Sequence, residues 1–423
     1  MLQVAFIRKN IELVKERLKI KNFSEVELVD RIVALDDDRK KMQFDVDEIQ
    51  AKLNTTAKEI GKLFAKGDTT AAELRKSEVA ELKTTLAGIS QKLHDTEQKL
   101  TDTLVLLPNL PHSSVPAGLT PEQNIIVKEQ GTLPKLYEGA VPHWDLAKKY
   151  DLINFELGNK ITGSGFPLFK NNGAKLQRAL VRYFLEYNIA AGYTEYQPPL
   201  LVNEATAFGT GQLPDKEAQM YQVTADNLYM IPTSEVPLTN IYRDEIVKEN
   251  DLPIMMTAYT PCFRREAGSY GKDVRGLNRV HQFDKVEIVQ LVLPEKSYQV
   301  LEDMVEHVGK LLQSLQLPYR ILRLCGGDLG FASAITYDFE VYSAAQKKWL
   351  EVSSVSNFET FQTNRMKIRY KDSSGKTQLL HTLNGSSLAL PRIVACLLEN
   401  NQTADNIKLP QVLHDYFGGG EIK

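Results

Sequence analysis

The sequence predicts an α+β protein, in which an N-terminal antiparallel α-helical coiled-coil arm precedes a domain built on an antiparallel β-sheet flanked by helices. Two runs of heptad-spaced apolar residues, separated by a short turn, predict the arm, because such helices fold back on each other. After a proline-rich break, strand-like runs pair across charged loops without regular alternation of strand and helix. Neither a P-loop nor a Gly-x-Gly-x-x-Gly fingerprint occurs, which disfavours the nucleotide sites built on those motifs.

The composition is that of an ordinary globular protein, and 423 residues suffice for two or three domains with their own cores. No apolar run approaches the roughly 18 residues that span a bilayer, and Arg8 and Lys9 precede any signal-peptide core. The isolated cysteines Cys262, Cys325 and Cys396 argue against a disulfide framework or a cysteine zinc site. We therefore expect a cytoplasmic protein that does not bind membranes. With a net charge of -3, any nucleic-acid contact must use a local basic patch.

The arm is predicted to lie in an N-terminal domain of residues 1–107, with the helical hairpin starting at about residue 25. At about 1.5 Å per residue the hairpin would be roughly 50 Å long, so it should project from a compact domain. Its seam alternates spacings of four and three, with Arg39 as the one charged position. The apolar and threonine positions form two runs: Leu28, Ile32, Leu35, Met42, Val46, Ile49, Leu53, Thr56, Ile60 and Leu63, then Val79, Leu82, Leu86, Ile89, Leu93, Thr96, Leu100, Thr103 and Leu107.

Charge is distributed unevenly along the arm. Residues 50–85, the distal part, carry seven Lys or Arg against five Asp or Glu, whereas residues 24–49 carry four against nine. A basic tip on an acidic stem suits a probe for a phosphate backbone. The alternative interpretation is a solvated spacer or dimerisation coil.

Residues 108–121 are predicted to be a linker, because they contain four prolines, and a second domain then spans residues 122–423. Candidate strands of this domain lie at 196–202, 227–231, 254–266, 281–293, 318–325, 337–342, 348–355 and 378–384. Candidate helices lie near 174–191, 235–249, 295–315, 358–366 and 388–400.

Residues 254–293 read as a long β-hairpin whose loop is rich in glycine and arginine. Because residues two apart share one face of a strand, Arg264 and Glu266 should project together, as should Phe283 and Glu287. A face with a guanidinium, an aromatic ring and carboxylates could grip a phosphate, stack a base and hold an ammonium group. A cross-strand ladder of ion pairs is the alternative.

Three further segments place polar residues where a strand meets a helix. In "TSE" (233–235), the first two residues are candidate helix caps and the glutamate lies in the first turn. In "EVSS" (351–354), at a predicted strand end, oxygen ligands could bind Mg²⁺ or satisfy loop backbone groups. In "HTLNGSSLALPR" (381–392), a predicted strand and a tight Asn-Gly-Ser turn precede a helix whose first turn carries Arg392, where backbone N–H groups favour an anion. An ordinary strand-to-helix corner is the alternative there.

In their order, these segments resemble the three motifs of class II aminoacyl-tRNA synthetases, in the version found in the seryl-tRNA synthetase family. "GYTEYQPPLLV" (192–202) resembles motif 1, "FRRE…RVHQFDKVE" (263–287) motif 2 and "NGSSLALPR" (384–392) motif 3. The "TSE" and "EVSS" segments and the helical arm match as well, so the resemblance covers nearly the whole chain. It implies a class II catalytic domain, ATP and Mg²⁺, L-serine, a serine tRNA whose long variable arm contacts the coiled coil, and a homodimer built partly on motif 1.

The resemblance also implies roles for individual residues. Arg264, Arg392 and Glu351 would be catalytic, and Glu351 and Ser354 would carry Mg²⁺. Serine would be surrounded by Thr233, Ser234, Glu235, Glu287, Ser386, Thr382 and Asn384. ATP would contact Arg264, Arg265, Glu266, Arg279, Val280, Phe283, Glu351, Val352, Ser353, Ser354 and Arg392. Arg265, Lys272 and Arg275 are interpreted in addition as a mobile loop that closes on ATP or meets the end of the tRNA.

Motif 3 departs from the family pattern, because Ser387 and Pro391 replace two glycines. Proline is tolerated in a first helical turn and Arg392 is retained, so we expect a small shift in geometry and retained activity. The implied reaction activates serine as an adenylate and transfers it to tRNA, with selenocysteine tRNA as a further substrate. Two alternatives are a non-catalytic relative and an amino acid:carrier-protein ligase. The presence of Arg264, Glu287 and Arg392 argues against the first, and the intact arm argues against the second.

Overall fold

The structure is a computed structural model that describes residues 1–215, 218–267 and 275–423. Lys272 of the predicted mobile loop therefore lies outside the described residues, as do Gly268 and Gly271 of the hairpin loop. The chain divides into two compact units, one of Met1–Lys19 and Phe23–Pro108 and one of Ile20–Asn22 and Asn109–Lys423. In the described ranges, no helix is both long and apolar enough to cross a membrane.

The first unit is helical and contains the predicted hairpin. Its helices are α1 (Val4–Lys9), α2 (Ile11–Ile20), α3 (Leu28–Ala65) and α4 (Thr69–Leu104). Gly67 turns the chain between α3 and α4 with a φ of +80°, and the Asp68 side chain accepts a hydrogen bond from the Ala71 N–H, which caps α4. The antiparallel coiled coil predicted from the heptads is thus confirmed.

Two cross-helix contacts fix the register of the α3–α4 hairpin. The Thr96 hydroxyl lies 3.7 Å from the Met42 sulfur, and Arg75 pairs with Glu59 at 3.5 Å. Each pair joins residues whose numbers add to nearly the same value, as expected for an antiparallel pair of continuous helices. Seam residues that become buried include Leu53, Thr56, Leu93, Thr96 and Leu100.

The second unit combines helices with several sheets. Its helices are α5 (His143–Lys149), α6 (Phe155–Ile161), α7 (Asn171–Ala190), α8 (Glu204–Thr210), α9 (Glu235–Asn240), α10 (Ser297–Ser314), α11 (Phe361–Met366), α12 (Leu390–Asn400) and α13 (His414–Phe417). Its strands are β1 (Ile125–Gln130), β2 (Ile153–Asn154), β3 (Leu168–Phe169), β4 (Thr194–Glu195), β5 (Leu201–Asn203), β6 (Gln222–Val223), β7 (Leu228–Met230), β8 (Ile246–Lys248), β9 (Ile254–Phe263), β10 (Gln282–Val292), β11 (Tyr319–Arg323), β12 (Ile335–Ser343), β13 (Lys348–Glu359), β14 (Arg369–Lys371), β15 (Thr377–Leu379), β16 (His381–Ala389), β17 (Ile407–Lys408) and β18 (Glu421–Ile422).

The main sheet has the strand order β1-β11-β12-β13-β16-β10-β9-β4 among the described residues. Neighbouring strands are antiparallel except β4, which pairs in parallel with β9 at one edge. Helices α7, α10 and α12 pack on this sheet through one apolar core. In α10 the buried residues Leu301, Met304, Val305 and Val308 follow helical periodicity, as expected for a helix with one face on a sheet. The predicted antiparallel sheet flanked by helices is confirmed.

Several predicted boundaries differ from the structure. The helix predicted at 235–249 ends at Asn240. Of the strand predicted at 196–202 only β5 forms, from residue 201, because Pro198 and Pro199 cannot donate to a strand ladder. Residues 351–354 lie inside β13, not at its end, and residues 384–386 lie inside β16, not in a tight turn. Gly385 fits between β10 and β13, where an added Cβ would lie 3.0 Å from the Val355 side chain.

Candidate active site

A polar cavity of about 670 Å³ opens on the second unit, over β10, β12, β13, β16 and the start of α12. Most of the predicted site residues line it: Thr233, Glu235, Arg264, Glu266, Arg279, Val280, Phe283, Glu287, Glu351, Val352, Ser353, Ser354, Asn384, Ser386 and Arg392. The described lining does not include Ser234, Thr382 or Arg265. The structure thus gathers segments that are up to about 160 residues apart in sequence, from 233 to 392, around one cavity.

Arg264 and Phe283 form one wall of the cavity. The Arg264 guanidinium carbon lies 5.3 Å from the centre of the Phe283 ring, and Arg264 Nε donates to the Pro232 carbonyl at 3.4 Å. This proximity follows from the β9–β10 register, in which Phe283 faces Cys262 two residues before Arg264. Beyond the end of β9, Glu266 adopts a left-handed φ of +49°. Its carboxylate accepts a hydrogen bond from Arg279 at 2.6 Å.

The inner end of the cavity holds a buried ion pair on β10. Lys285 Nζ lies 2.5 Å from Glu287 Oε2, and the Thr233 hydroxyl donates to the same oxygen at 3.0 Å. The lysine partner compensates the negative charge of a carboxylate that is only 1% exposed. Lys285 was not predicted as a site residue. Period-two alternation with Phe283 and Glu287 on the same strand could have identified it.

Glu235 is the second buried carboxylate of the inner cavity. Gln362 Nε2 donates to Glu235 Oε1 at 2.6 Å, and burial raises the pKa of Glu235 to about 7, assisted by the nearby Glu287 charge. Gln362 also accepts a hydrogen bond from the Thr382 hydroxyl at 2.7 Å. Thr382 therefore lies behind Glu235 instead of lining the cavity. Nothing in the local sequence around Gln362 indicates this contact, because its partner is 127 residues away.

The predicted caps of α9 behave differently from each other. The Thr233 hydroxyl accepts a hydrogen bond from the Glu235 N–H at 3.3 Å while donating to Glu287. Ser234 makes no side-chain cap, and its buried hydroxyl has no hydrogen-bond partner among the described residues. Thr233 thus joins the start of α9 to β10, which aligns the two carboxylates of the inner cavity.

Arg392 lies in the first turn of α12 and is held by two backbone carbonyls. Its Nε donates to the Asn278 carbonyl at 2.9 Å and its Nη1 to the Glu351 carbonyl at 2.7 Å. Pro391 occupies the start of the helix, where a missing N–H costs nothing. Ser387, the other departure from the family pattern, donates to Asn188 at 2.9 Å in the core. Both substitutions are therefore accommodated without removing Arg392 from the cavity.

Oxygen ligands suited to a hard cation lie at the Glu351 edge of the cavity. Ser354 on β13 faces Asp338 on β12, and Glu351 lies three residues earlier on β13, where it faces Glu340. Burial and the Glu351 charge raise the pKa of Asp338 well above its usual range, and its Oδ1 has no hydrogen-bond partner among the described residues. The described residues contain no cluster of three metal-binding side chains of the His, Cys, Asp or Glu type. The oxygen donors of Glu351, Ser354 and Asp338 fit Mg²⁺, because this ion binds few protein carboxylates and takes its other ligands from phosphate oxygens.

Two family models match the chain. Residues 1–111 match the seryl-tRNA synthetase N-terminal domain, and residues 220–401 match the tRNA synthetase class II core domain of the G, H, P, S and T enzymes. The chain is 46% identical to the serine--tRNA ligase of Salinibacter ruber, over 100% of this chain and 99% of the relative. It is also 46% identical to that of Methylacidiphilum infernorum, over 99% of both chains.

Solved structures of seryl-tRNA synthetases have the same fold as this chain. The seryl-tRNA synthetase from Pyrococcus horikoshii complexed with ATP superposes with a TM-score of 0.92 at 33% identity, over 100% of this chain and 99% of that chain. The cytoplasmic serine-tRNA ligase from Naegleria fowleri in complex with AMP has a TM-score of 0.88 at 25% identity, with the same coverage. A more distant M. kandleri enzyme in complex with A. aeolicus tRNASec shares the fold, with a TM-score of 0.57 at 19% identity over 80% of this chain and 70% of that chain.

Proposed function

Since the chain belongs to the seryl-tRNA synthetase family and ligates serine to tRNA with ATP as co-substrate, we propose that the cavity binds both small substrates through the residues described above. The observation that carries this assignment is the convergence of Arg264, Phe283, Glu287 and Arg392 around one polar cavity. The test is serine-dependent ATP–pyrophosphate exchange, compared across amino acids and followed by charging of tRNA. Exchange driven better by another amino acid would contradict the assignment.

ATP occupies the outer cavity in this proposal. The adenine stacks on Phe283 with the Arg392 guanidinium opposite, and the Val280 backbone lies beside the base. Arg264, Arg279 and Arg392 carry the charge that the phosphates require. Glu266 holds Arg279 by a 2.6 Å hydrogen bond and so fixes the guanidinium near the nucleotide.

Activation of serine proceeds by in-line attack. An oxygen of the serine carboxylate forms a bond to the α-phosphorus while the bond to the bridging oxygen breaks, which gives seryl-adenylate and pyrophosphate. Because the attacking carboxylate is already ionised, this step needs no general base, and its rate depends on positioning and charge stabilisation. Arg264 contacts both the carboxylate and the α-phosphate. In the second step the 3′-hydroxyl of the terminal tRNA ribose attacks the activated carbonyl and AMP leaves.

Mg²⁺ is the cofactor of this reaction, and Glu351 and Ser354 would hold it with Asp338 as a neighbouring oxygen donor. When bound, it neutralises phosphate charge and orients the polyphosphate. Replacing Glu351 with glutamine should raise the Mg²⁺ concentration for half-maximal exchange by about tenfold, because one charged ligand is lost. A Mg²⁺ titration of exchange measures this. Glu340→Gln is the control on the facing strand, and an unchanged Mg²⁺ requirement in Glu351→Gln would contradict the ligand role.

Serine is recognised at the inner end by two carboxylates with different electrostatic environments. Glu287 is neutralised by Lys285, so its remaining hydrogen-bonding capacity suits the neutral serine hydroxyl. Glu235 has an amide partner, Gln362, and no cation within ion-pair distance among the described residues, so its ionised form suits the serine ammonium group. A site built for a hydroxyl rejects alanine because its buried polar groups would be left unpaired.

The raised pKa of Glu235 predicts that serine binding depends on pH. With a pKa of about 7, Glu235 is mostly protonated at pH 6 and mostly ionised at pH 8. The ammonium group of serine favours the ionised form, so affinity should rise about tenfold between these values and binding near pH 6.5 should release a proton. Titration calorimetry in buffers of different ionisation enthalpy detects that proton.

Glu235→Gln is the matched control for this prediction, because it keeps the shape of the side chain and cannot titrate. It should bind serine more weakly and lose both the proton release and this part of the pH dependence. Proton release that persists in Glu235→Gln would assign the titration to another group.

The remaining partners are also part of the proposal. The α3–α4 hairpin contacts the long variable arm of serine tRNA through its basic distal part, and selenocysteine tRNA is charged where it is present. The enzyme is a cytoplasmic homodimer. Support for a dimer comes from exposed apolar residues around motif 1: Ile189 is 44% exposed, Leu200 37% and Leu201 42%. Sedimentation analysis tests this, and a monomer at micromolar concentration would contradict it.

A further inference from the structure

A polar network with a buried centre lies between α5, α12, the end of β12 and the loop that follows it. His143 Nδ1 is 2.7 Å from Glu399 Oε1, and both side chains are 0% exposed. Ser343 donates to the other oxygen of Glu399, and Gln346 Nε2 donates to Glu399 Oε1 at 2.9 Å. Hydrogen bonds from His143 and Ser343 lower the pKa of Glu399 despite its burial, so the carboxylate stays ionised. The reaction described above uses none of these four groups.

This network contacts residues 275–278, which lie between the hairpin loop and β10. His143 Nε2 accepts a hydrogen bond from the Leu277 N–H at 2.8 Å, so Nδ1 carries the proton and donates to Glu399. Asn278 Nδ2 donates to Gln346 at 2.9 Å. The backbone approaches closely at Gly276, where an added Cβ would lie 2.2 Å from His143 Nε2.

Two side chains reinforce this anchorage. The Arg275 guanidinium carbon lies 4.5 Å from the Trp144 ring, next to His143 on α5. Arg275, assigned from the sequence to a mobile loop, makes this contact with α5 in the structure. Residues 275–278 are therefore tied to α5 and to the network by the Arg275 side chain, the Leu277 N–H and the Asn278 side chain.

The same segment supports Arg392. The Asn278 carbonyl is one of the two backbone acceptors of its guanidinium, at 2.9 Å from Nε. Leu277 and Asn278 also line the cavity. The chain of contacts thus runs from Glu399 through His143 and the Leu277 N–H to the Asn278 carbonyl and Arg392. The serine-binding end has no hydrogen bond to this chain among the described residues.

We propose that His143 and Glu399 are positioning residues for ATP, which lock residues 275–278 in place and thereby orient the Arg392 guanidinium in the cavity. The inference rests on the proposed contact of Arg392 with ATP. A network that served only to stabilise the fold would leave ATP affinity unchanged in variants that remain folded. The neutral imidazole has two separable tasks, accepting from Leu277 and donating to Glu399, and only the first acts directly on the ATP end.

Paired amide substitutions separate these tasks. His143→Gln places a carbonyl oxygen near the position of Nε2 and keeps an acceptor for the Leu277 N–H, whereas His143→Asn places its amide near Nδ1 and keeps only the donor to Glu399. We expect His143→Asn to weaken binding of a non-hydrolysable ATP analogue with Mg²⁺ by about tenfold, and His143→Gln by much less. The KM for serine should stay within about twofold in both. Titration calorimetry and exchange kinetics on the full chain measure these values.

Two controls keep the test decisive. His414→Gln changes another partly buried histidine that hydrogen-bonds the Leu409 carbonyl, and it should leave ATP affinity unchanged. Gln346→Ala removes the hydrogen-bond acceptor of Asn278 at a half-buried position. If His143→Asn does not fold, Gln346→Ala takes its place in the test, and we expect the same selective loss of ATP affinity.

A double substitution tests whether the effect passes through Arg392. If it does, His143→Asn should change ATP affinity less than twofold when added to Arg392→Ala. Additive losses, equal rises in the KM values for ATP and serine, or wild-type ATP affinity in His143→Asn would each overturn the inference. Wild-type ATP affinity in Arg392→Ala would refute the proposed role of Arg392 itself, and the inference with it.

Discussion

Replacing Arg264 with lysine should lower kcat/KM for serine-dependent ATP–pyrophosphate exchange by about a hundredfold, although the positive charge is kept. The Arg264 guanidinium lies over the Phe283 ring and uses its Nε for the Pro232 carbonyl. It forms no ion pair with the described residues, so its terminal nitrogens can bind the serine carboxylate and the α-phosphate together. Lysine offers a point charge that cannot bridge two oxyanions in a fixed geometry.

The contribution of charge alone is separated by a second variant. Arg264→Gln should lose about a further tenfold, because it removes the charge as well as the fork. Arg369→Lys, a partly exposed arginine on β14 that bonds a backbone carbonyl, is the matched control and should exchange like the wild type. Wild-type exchange in Arg264→Lys would mean that no bidentate contact is made in the transition state.

Strand alternation was the part of the site that the sequence could predict. On β10 the period of two placed Phe283 and Glu287 on one face, and the structure brings both to the cavity. The same period includes Lys285, which was not predicted as a site residue. A lysine that is only 5% exposed is unusual, and its pairing with Glu287 depends on the burial of both side chains. Burial is a property of the whole fold, so local pattern alone does not reveal it.

Contacts between distant segments could not be predicted from local sequence. Asn384 to Ser386 have the composition of a turn, but β10 and β13 pair on either side of them and hold them in β16. The partnership of Gln362 with Glu235 and the placement of Asp338 opposite Ser354 also arise from sheet and helix packing. Tertiary pairing overrides the local propensity of these residues, so the motifs identified the cavity and the fold supplied its supporting residues.

Shortening the coiled-coil arm should abolish tRNA charging and preserve activation of serine. The register given by the Met42–Thr96 and Glu59–Arg75 contacts places Ile49 close to Leu86, so residues 50–85 can be replaced by a short glycine-rich turn without disturbing the rest of the seam. The deletion removes the predicted basic tip and leaves the cavity residues untouched. We expect exchange within about twofold of wild type and a fall of at least about a hundredfold in charging at low tRNA concentration, because several phosphate contacts are lost together.

Charge substitution within the intact arm distinguishes phosphate contact from length. Lys52, Lys58, Lys62 and Lys83 lie in the distal part of the hairpin and can be changed together to glutamine, which keeps helix propensity. The salt dependence of tRNA binding should then become shallower, since each lost phosphate contact lowers the slope of log affinity against log salt by about one. The matched control changes four proximal carboxylates, Asp37, Asp38, Asp45 and Asp47, to asparagine and should leave that slope unchanged. If the enzyme that lacks residues 50–85 still charged serine tRNA fully, the catalytic unit would recognise this tRNA without the arm. The arm would then be a spacer.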